Sequence, residues 1–195
     1  MTDFKVKSYD EPKVNIREIL RYAKSGSDDK ETEALVRECL TEALPRLSYK
    51  TVHLVLDVTV VADTCNIGGI IIHSTSLAKN LSGVKKAILT AATVGLGIDR
   101  LTAKYSRTSP TKALIMQAIG TERVEAVLDE LTKELEAEYE RLRPRFSVGY
   151  GDAPLTVQKE ITERLDTGKT VGVFLSESFI MTPTKSVTAI IGIET

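Results

Sequence analysis

The chain has 195 residues, 42% of them hydrophobic and 27% charged, and its 26 basic and 27 acidic residues give a net charge of -1. This length and composition are typical of one globular domain with a substantial core, and we expect residues 1–195 to form a single domain. The balanced charge excludes the basic surface of a nucleic-acid-binding protein. No apolar run approaches the ~20 residues of a membrane span, so neither nucleic acid nor a membrane is an expected partner.

Two cysteines, Cys39 and Cys65, have no second cysteine or histidine at a ligand spacing. Isolated thiols of this kind are typical of a reducing compartment rather than of a disulfide framework. The first twenty residues are charged and do not resemble a secretory signal. These features predict a cytoplasmic location.

The first third of the chain is predicted to contain a short strand, two helices and a long strand. The strand is predicted at residues 3 to 8. Asn15 is then a suitable N-cap for a helix over residues 16–22, with Glu18 at the capping-box position. Helical spacing of apolar residues predicts a second helix from Asp28 or Asp29 to about residue 47. Alternating polarity over residues 49–61 then predicts a half-buried strand.

The rest of the chain is predicted to mix helices and strands without regular alternation. Residues 98–143 are mostly helical in pattern, with Ser109 as N-cap, Pro110 at the first helical position and an interruption at Gly120. The other elements are strands over 70–72, 85–94, 171–175 and 186–193 and helices over 74–81 and 154–165. This order predicts an α+β fold, a largely antiparallel twisted sheet with helices packed around it.

The loop from Arg143 to Pro154 has the composition of a binding site. It joins two arginines and two aromatic residues to Gly149 and Gly151, which permit positive φ angles and close backbone approach. Guanidinium groups in such a loop indicate an anionic group on the ligand.

Other catalytic patterns are missing from the sequence. Gly95-Leu96-Gly97 lacks the third glycine of a dinucleotide loop, so a simple turn before a helix is the favoured interpretation. His53 and His73 have no partner at metal-ligand spacing, and no nucleophile elbow accompanies them, so we predict neither a metal site nor a hydrolase triad.

Three stretches resemble the reactivation domain of cobalamin-dependent methionine synthase, a module that binds S-adenosylmethionine, and the likeness covers about the last half of the chain. They are, in order, residues 93–99 leading to Arg123-Val124-Glu125-Ala126, residues 145–150 with Pro154 downstream, and residues 175–181 with Pro183, Ser186 and Val187. The resemblance implies the fold of that domain, in the form of its short single-domain members. Val148 departs from the family pattern, which has a proline there.

The resemblance also implies a ligand site made of Glu125, Arg145, Ser147, Gly149 and Tyr150. The Arg145 guanidinium matches the carboxylate of S-adenosylmethionine, and Glu125 matches its ammonium. Backbone groups at Ser147 and Gly149 would approach the ligand, and the Tyr150 ring suits its sulfonium. Glu125 can also be read as a solvated helix carboxylate, and Tyr150 as an aromatic that anchors the loop.

The implied function is that of a reactivation partner, accessory to a methyltransferase rather than an independent catalyst. It would bind S-adenosylmethionine and cap the corrinoid for reductive methylation of cob(II)alamin, with an external protein as electron donor. No corrinoid-binding Asp-x-His-x-x-Gly sequence is present, so a partner methyltransferase would carry the cobalamin. Two alternatives remain: a module that binds a corrinoid protein without a methyl-donor site, and an enzyme that acts on another carboxylate ligand.

Overall fold

The computed structural model describes residues 4–26 and 29–194, which fold into a mixture of helices and short and long strands. The strands are β1 (Lys5–Tyr9), β2 (Tyr49–Val61), β3 (Thr64–Ile67), β4 (Ile70–His73), β5 (Lys86–Thr93), β6 (Arg141–Leu142), β7 (Phe174–Leu175), β8 (Met181–Thr182) and β9 (Ser186–Glu194). The α-helices are α1 (Ile16–Tyr22), α2 (Lys30–Ala43), α3 (Thr75–Asn80), α4 (Gly97–Thr108), α5 (Pro110–Glu138), α6 (Gln158–Arg164) and α7 (Thr167–Thr170).

Within the described ranges, seven strands form one antiparallel sheet. Its order is β4-β3-β2-β5-β9-β6, and β1 pairs with the first half of β2. Every pairing in the sheet is antiparallel. The predicted α+β fold with a largely antiparallel sheet is therefore confirmed.

Helices cover both faces of the sheet. On one face, Val52, Leu54 and Leu89 pack with α3, α6 and the loop that contains Phe146. On the other face, α5 contributes Leu131 and Leu135 to a cluster with strand residues, and the N-terminal half of α5 packs with α1, α2 and α4. Because β5 lies inside the sheet under both layers, seven of its eight residues are buried, and the strand contributes to all three hydrophobic clusters of the core.

The long strand β2 has the predicted bounds but differs in burial. Residues 51–54 are buried on both faces, whereas the second half alternates, with Asp57, Thr59 and Val61 exposed. The strand was predicted to be half-buried throughout because its sequence alternates, but helix α5 covers the face that carries His53. The structure also adds β3, which pairs with the end of β2 and was not predicted.

The helical region after residue 97 is two helices, separated at Ser109. Ser109 caps α5 through Lys112 N–H and Pro110 is its first residue, as predicted. The predicted interruption at Gly120 is wrong, since α5 continues to Glu138. Gly120 instead allows the Lys185 side chain to pack closely against α5, because a Cβ at Gly120 would lie 2.6 Å from Lys185 Cγ.

Several predicted boundaries also shift. The first strand is Lys5–Tyr9 rather than residues 3–8, of which residue 3 lies outside the described ranges. Helix α2 is capped by Asp29, while the alternative start at Asp28 also falls outside those ranges. The strand predicted over 171–175 shortens to Phe174–Leu175, which pairs with β8 in a separate hairpin.

Candidate ligand site

The loop predicted to bind a ligand lies along the edge of β9. Arg143 N–H donates to Gly192 O across 2.8 Å, and Phe146 and Ile190 exchange two backbone hydrogen bonds of 2.9 and 2.8 Å. The loop thus continues the sheet as an irregular extra strand. Because side chains alternate in extended backbone, Phe146 enters the core while its neighbour Arg145 points towards helix α5.

Arg145 and Glu125, both predicted site residues, are in contact. Arg145 Nη2 donates to Glu125 Oε2 across 3.2 Å, and Arg145 Nη1 lies 2.9 Å from Asp129 Oδ1. Glu125 and Asp129 are four residues apart on α5 and therefore share one helix face. The guanidinium is held by one carboxylate at each terminal nitrogen, and Asp129 is a member of this group that sequence reasoning missed.

A cavity of about 980 Å³ opens beside this ion-pair cluster. Glu125, Asp129 and Arg145 line this cavity together with residues of the segment 12–18, which leads into α1. Its volume lies at the upper end of the range of about 300–1,000 Å³ found for small-molecule sites. Of the five predicted residues, Glu125 and Arg145 line the cavity, whereas Ser147, Gly149 and Tyr150 do not.

The segment 12–18, which also lines the cavity, is fixed to α5 by a buried ion pair. Arg123 is 0% exposed, and its terminal nitrogens donate to the backbone carbonyls of Pro12 and Lys13 across 2.6 and 2.8 Å. Glu122 binds the Arg123 guanidinium and accepts from Asn15 N–H across 2.9 Å. These bonds hold the cavity wall in place.

Ser147 uses its hydroxyl within the fold. Its Oγ donates to Thr188 O across 2.7 Å, at the point where the pairing of the loop with β9 ends. Thr188 in turn donates to Gln158 Oε1 of α6 across 3.0 Å, and Gln158 Nε2 lies 3.4 Å from Met181 Sδ. This chain connects the loop to α6 and to the β7–β8 hairpin.

Gly149 and Tyr150 form a tight turn at the tip of the loop. Gly149 has a φ of 84° and donates to Ala153 O across 3.0 Å. Tyr150 is 73% exposed and meets Phe146 edge-on, with the ring centroids 6.2 Å apart. The tyrosine ring is therefore presented to solvent on a turn whose backbone requires glycine.

Asp152 fixes this turn to helix α3 and was also missed. It accepts hydrogen bonds from Ser74 Oγ and from the backbone N–H groups of Thr75 and Ser76, at 2.6, 2.7 and 3.1 Å. The Ser74 hydrogen bond and these N–H donors hold the pKa of the Asp152 carboxyl well below its usual range.

The other two stretches of the resemblance meet at the start of α4. The Ser186 hydroxyl of β9 lies 2.8 Å from Thr93 Oγ1, and Asp99 Oδ2 accepts from Thr184 N–H across 3.1 Å. Gly97 is needed here, because a Cβ would lie 2.0 Å from the Arg46 carbonyl oxygen. These contacts lie on the side of β9 that pairs with β5, and the candidate ligand loop lies on the other side of β9.

A second cavity, of about 770 Å³, lies between α6, α7 and the β7–β8 hairpin, and Phe174 and Phe179 line it. None of the five predicted residues borders it. Among residues 4–26 and 29–194, no three His, Cys, Asp or Glu side chains are grouped to hold a metal ion. The helices of the same ranges include none that is long and apolar enough to cross a membrane.

Comparison with solved structures identifies the fold. The chain is similar to a crystal structure of the MetH reactivation domain bound to AdoHcy, with a TM-score of 0.70 and 16% sequence identity. The alignment covers 98% of this chain and 78% of that chain. No protein-family model matches the chain, and no curated protein matches it. The chain has the fold of the methionine synthase reactivation domain, as its three sequence stretches predicted.

Proposed function

We propose that the whole chain acts as one reactivation domain that binds S-adenosylmethionine and serves a cobalamin-dependent methyltransferase in the cytoplasm. The observation that carries the proposal is the Arg145–Glu125 contact at the wall of a cavity of about 980 Å³, in a chain with the reactivation-domain fold. The solved domain with this fold binds AdoHcy, which shares the adenosine and amino-acid groups of S-adenosylmethionine.

The charges at the cavity wall fit the amino-acid end of this ligand. A guanidinium binds a carboxylate through two parallel N–H donors, and a carboxylate accepts from an ammonium. Arg145 and Glu125 supply these two groups 3.2 Å apart, and both are partly exposed. A zwitterionic amino-acid group can therefore meet both charges at once.

The turn at the loop tip lies outside the cavity, and we assign it to the sulfonium part of the ligand. Tyr150 exposes an electron-rich ring four residues beyond the pairing of Phe146 with β9, and such a ring attracts a cation. Ser147 would act through its backbone, because its hydroxyl is already bonded to Thr188 O. Gly149 permits the positive φ of this turn and its close packing on Leu155, whose Cδ1 would lie 3.0 Å from a Cβ at this position.

The role of the chain is to position groups rather than to transfer protons. Bound S-adenosylmethionine would supply the methyl group for reductive methylation of the partner's cob(II)alamin, with the electron from an external donor protein. Arg145, Glu125 and Tyr150 would orient the ligand, and the fold would exclude water around the corrinoid.

Exposed apolar side chains support docking of a partner. Tyr150, Phe174 and Ile180 are 73%, 64% and 60% exposed, and the hairpin that carries Ile180 is connected to the loop through Gln158. Large apolar side chains that are exposed at the surface are candidates for contacts with a partner protein.

Direct binding provides the first test. Equilibrium dialysis with labelled S-adenosylmethionine should show binding that is lost in Arg145→Ala. The matched control is Arg141→Ala, which removes an exposed arginine from the neighbouring strand β6 and should bind as the wild type does. Equal binding by the wild type and both variants would contradict the role of Arg145.

Reconstitution provides the second test. An oxidised corrinoid methyltransferase should regain activity with this protein, S-adenosylmethionine and a reductant, and should not regain it when the protein is omitted. A complex with the corrinoid protein without any binding of S-adenosylmethionine would favour the alternative, a docking module that lacks a methyl-donor site.

A further inference from the structure

We propose that Asp129 is an internal competitor of the ligand: its carboxylate occupies Arg145 in the free protein and leaves when a ligand carboxylate binds. The inference rests on the proposed function, since it assumes that Arg145 receives the carboxylate of S-adenosylmethionine. It adds a residue that sets the affinity and the ligand preference of that site.

The carboxylates of Glu125 and Asp129 contact the same Arg145 nitrogens that a ligand carboxylate would use. A ligand carboxylate places two oxygens on two neighbouring guanidinium nitrogens. In the free protein the two terminal nitrogens face one oxygen each from two different side chains, Glu125 Oε2 at 3.2 Å and Asp129 Oδ1 at 2.9 Å. Because Arg145 Nη1 is buried beside Asp129 Oδ1, a ligand oxygen can reach this nitrogen only after the Asp129 carboxylate moves.

Asp129 is the partner that can leave more easily. Its side chain is 58% exposed, compared with 41% for Glu125, so water can solvate the released carboxylate. The Arg145–Glu125 contact has hydrogen-bond geometry. Arg145 Nη1, in contrast, is buried and makes no hydrogen bond within the described part of the chain, so its 2.9 Å contact with Asp129 is a poorly directed ion pair.

The exchange therefore replaces a poorly directed contact by a well-directed one. A ligand carboxylate can place an oxygen in line with an N–H of Nη1, which Asp129 does not do. Glu125 stays in place and remains available for the ligand ammonium. The cost of the exchange is the loss of one partly exposed ion pair, which weakens binding by about two- to fivefold.

The test removes the charge of Asp129 and compares two ligands. Asp129→Asn should tighten the Kd for S-adenosylmethionine by about two- to fivefold. Decarboxylated S-adenosylmethionine, which has the same sulfonium and amine but no carboxylate, should bind the wild type and the variant equally. The matched control is Glu136→Gln, an acid-to-amide change at an exposed position of the same helix α5.

The other possible outcomes of this experiment separate the failure of the competition from the failure of the proposed function. Unchanged or weaker binding of S-adenosylmethionine by Asp129→Asn would overturn the competition, and so would equal tightening for both ligands. If the wild type binds S-adenosylmethionine through Arg145 and Asp129→Asn changes nothing, only this inference fails. If the wild type binds neither ligand, the proposed function fails and the inference fails with it.

Discussion

The hydroxyl of Ser74 joins helix α3 to the ligand loop through Asp152. Its Oγ donates to Asp152 Oδ1 across 2.6 Å and accepts from Leu77 N–H across 3.0 Å, so one side chain caps α3 and holds the loop. Asp152 adds acceptors for two further N–H groups of the same helix turn. The turn of Gly149 and Tyr150 is thereby anchored from its far end.

Replacing Asp152 by alanine should therefore destabilise the protein and loosen the loop. We expect Tm to fall by about 2–4 °C, the effect of a lost cap in a domain of this size. Because hydrogen bonds depress the pKa of Asp152, its contribution is present above about pH 4 and is lost as the pH falls through the folded-state pKa. The Tm difference between the wild type and Asp152→Ala should thus be constant from pH 5 to 8 in calorimetry. A difference that varies across this window would contradict the assignment.

Local signals in the sequence were sufficient to predict much of the fold. Asn15 caps α1, Ser109 and Pro110 begin α5, and β2 has the predicted bounds, because caps and hydrophobic periodicity act within a few residues. The contact between Arg145 and Glu125 was implied only by the resemblance, since the residues are twenty positions apart. Asp129 was within reach of sequence reasoning, because it follows Glu125 by one helical turn.

Features that depend on distant neighbours could not be predicted. Gly120 looks like a helix breaker in the sequence. In the structure, the Lys185 side chain, from a distant part of the chain, packs so close to Gly120 that no Cβ fits there. Glu122 and Arg123 look like surface charges, yet they are buried, because the carbonyls of Pro12 and Lys13 satisfy the guanidinium. Contacts between residues so far apart in the sequence leave no pattern among neighbouring residues.

The buried pair of Glu122 and Arg123 should be strongly coupled. Arg123→Met would leave the Glu122 carboxylate, 4% exposed, without its cation, which costs about 3–5 kcal/mol. Adding Glu122→Gln removes the stranded charge and should restore part of the stability. Urea unfolding of the wild type, both single variants and the double variant measures this coupling. A loss below about 1 kcal/mol in Arg123→Met would show that the pair is not structurally important.

Gly120→Ala should destabilise the protein although alanine favours a helix. The new Cβ would lie 2.6 Å from Lys185 Cγ and 2.9 Å from Ile98 Cγ1. Overpacking of this kind costs about 1–3 kcal/mol, compared with a gain in helix propensity of about 1 kcal/mol. Chemical denaturation should therefore show a net loss, and a net gain would mean that α5 and Lys185 separate without cost.

His53 should make the folded state less stable in acid. The side chain is 7% exposed, neither ring nitrogen has a hydrogen-bond partner in the described ranges, and burial lowers its pKa, assisted by Lys5 and opposed by Glu134 and Glu138. Below about pH 6.5 the unfolded chain takes up a proton that folded His53 does not, so the free energy of unfolding decreases as the pH falls. The slope from this one group is at most about 1.4 kcal/mol per pH unit. His53→Leu should flatten the stability profile between pH 5 and 7, and equal profiles would contradict this explanation.

Gly149→Ala should affect both stability and ligand binding. Gly149 has a φ of 84°, and a Cβ there would lie 3.0 Å from Leu155 Cδ1. An alanine with positive φ costs about 1–2 kcal/mol. Gly172→Ala is the matched control, because Gly172 has a φ of 75° but a Cβ at this position would meet no atom within 4 Å. Both variants should lose stability, but only Gly149→Ala should also weaken the binding of S-adenosylmethionine, since it displaces the turn that carries Tyr150. Equal effects of the two variants on the Kd would argue against a role for this turn in the site.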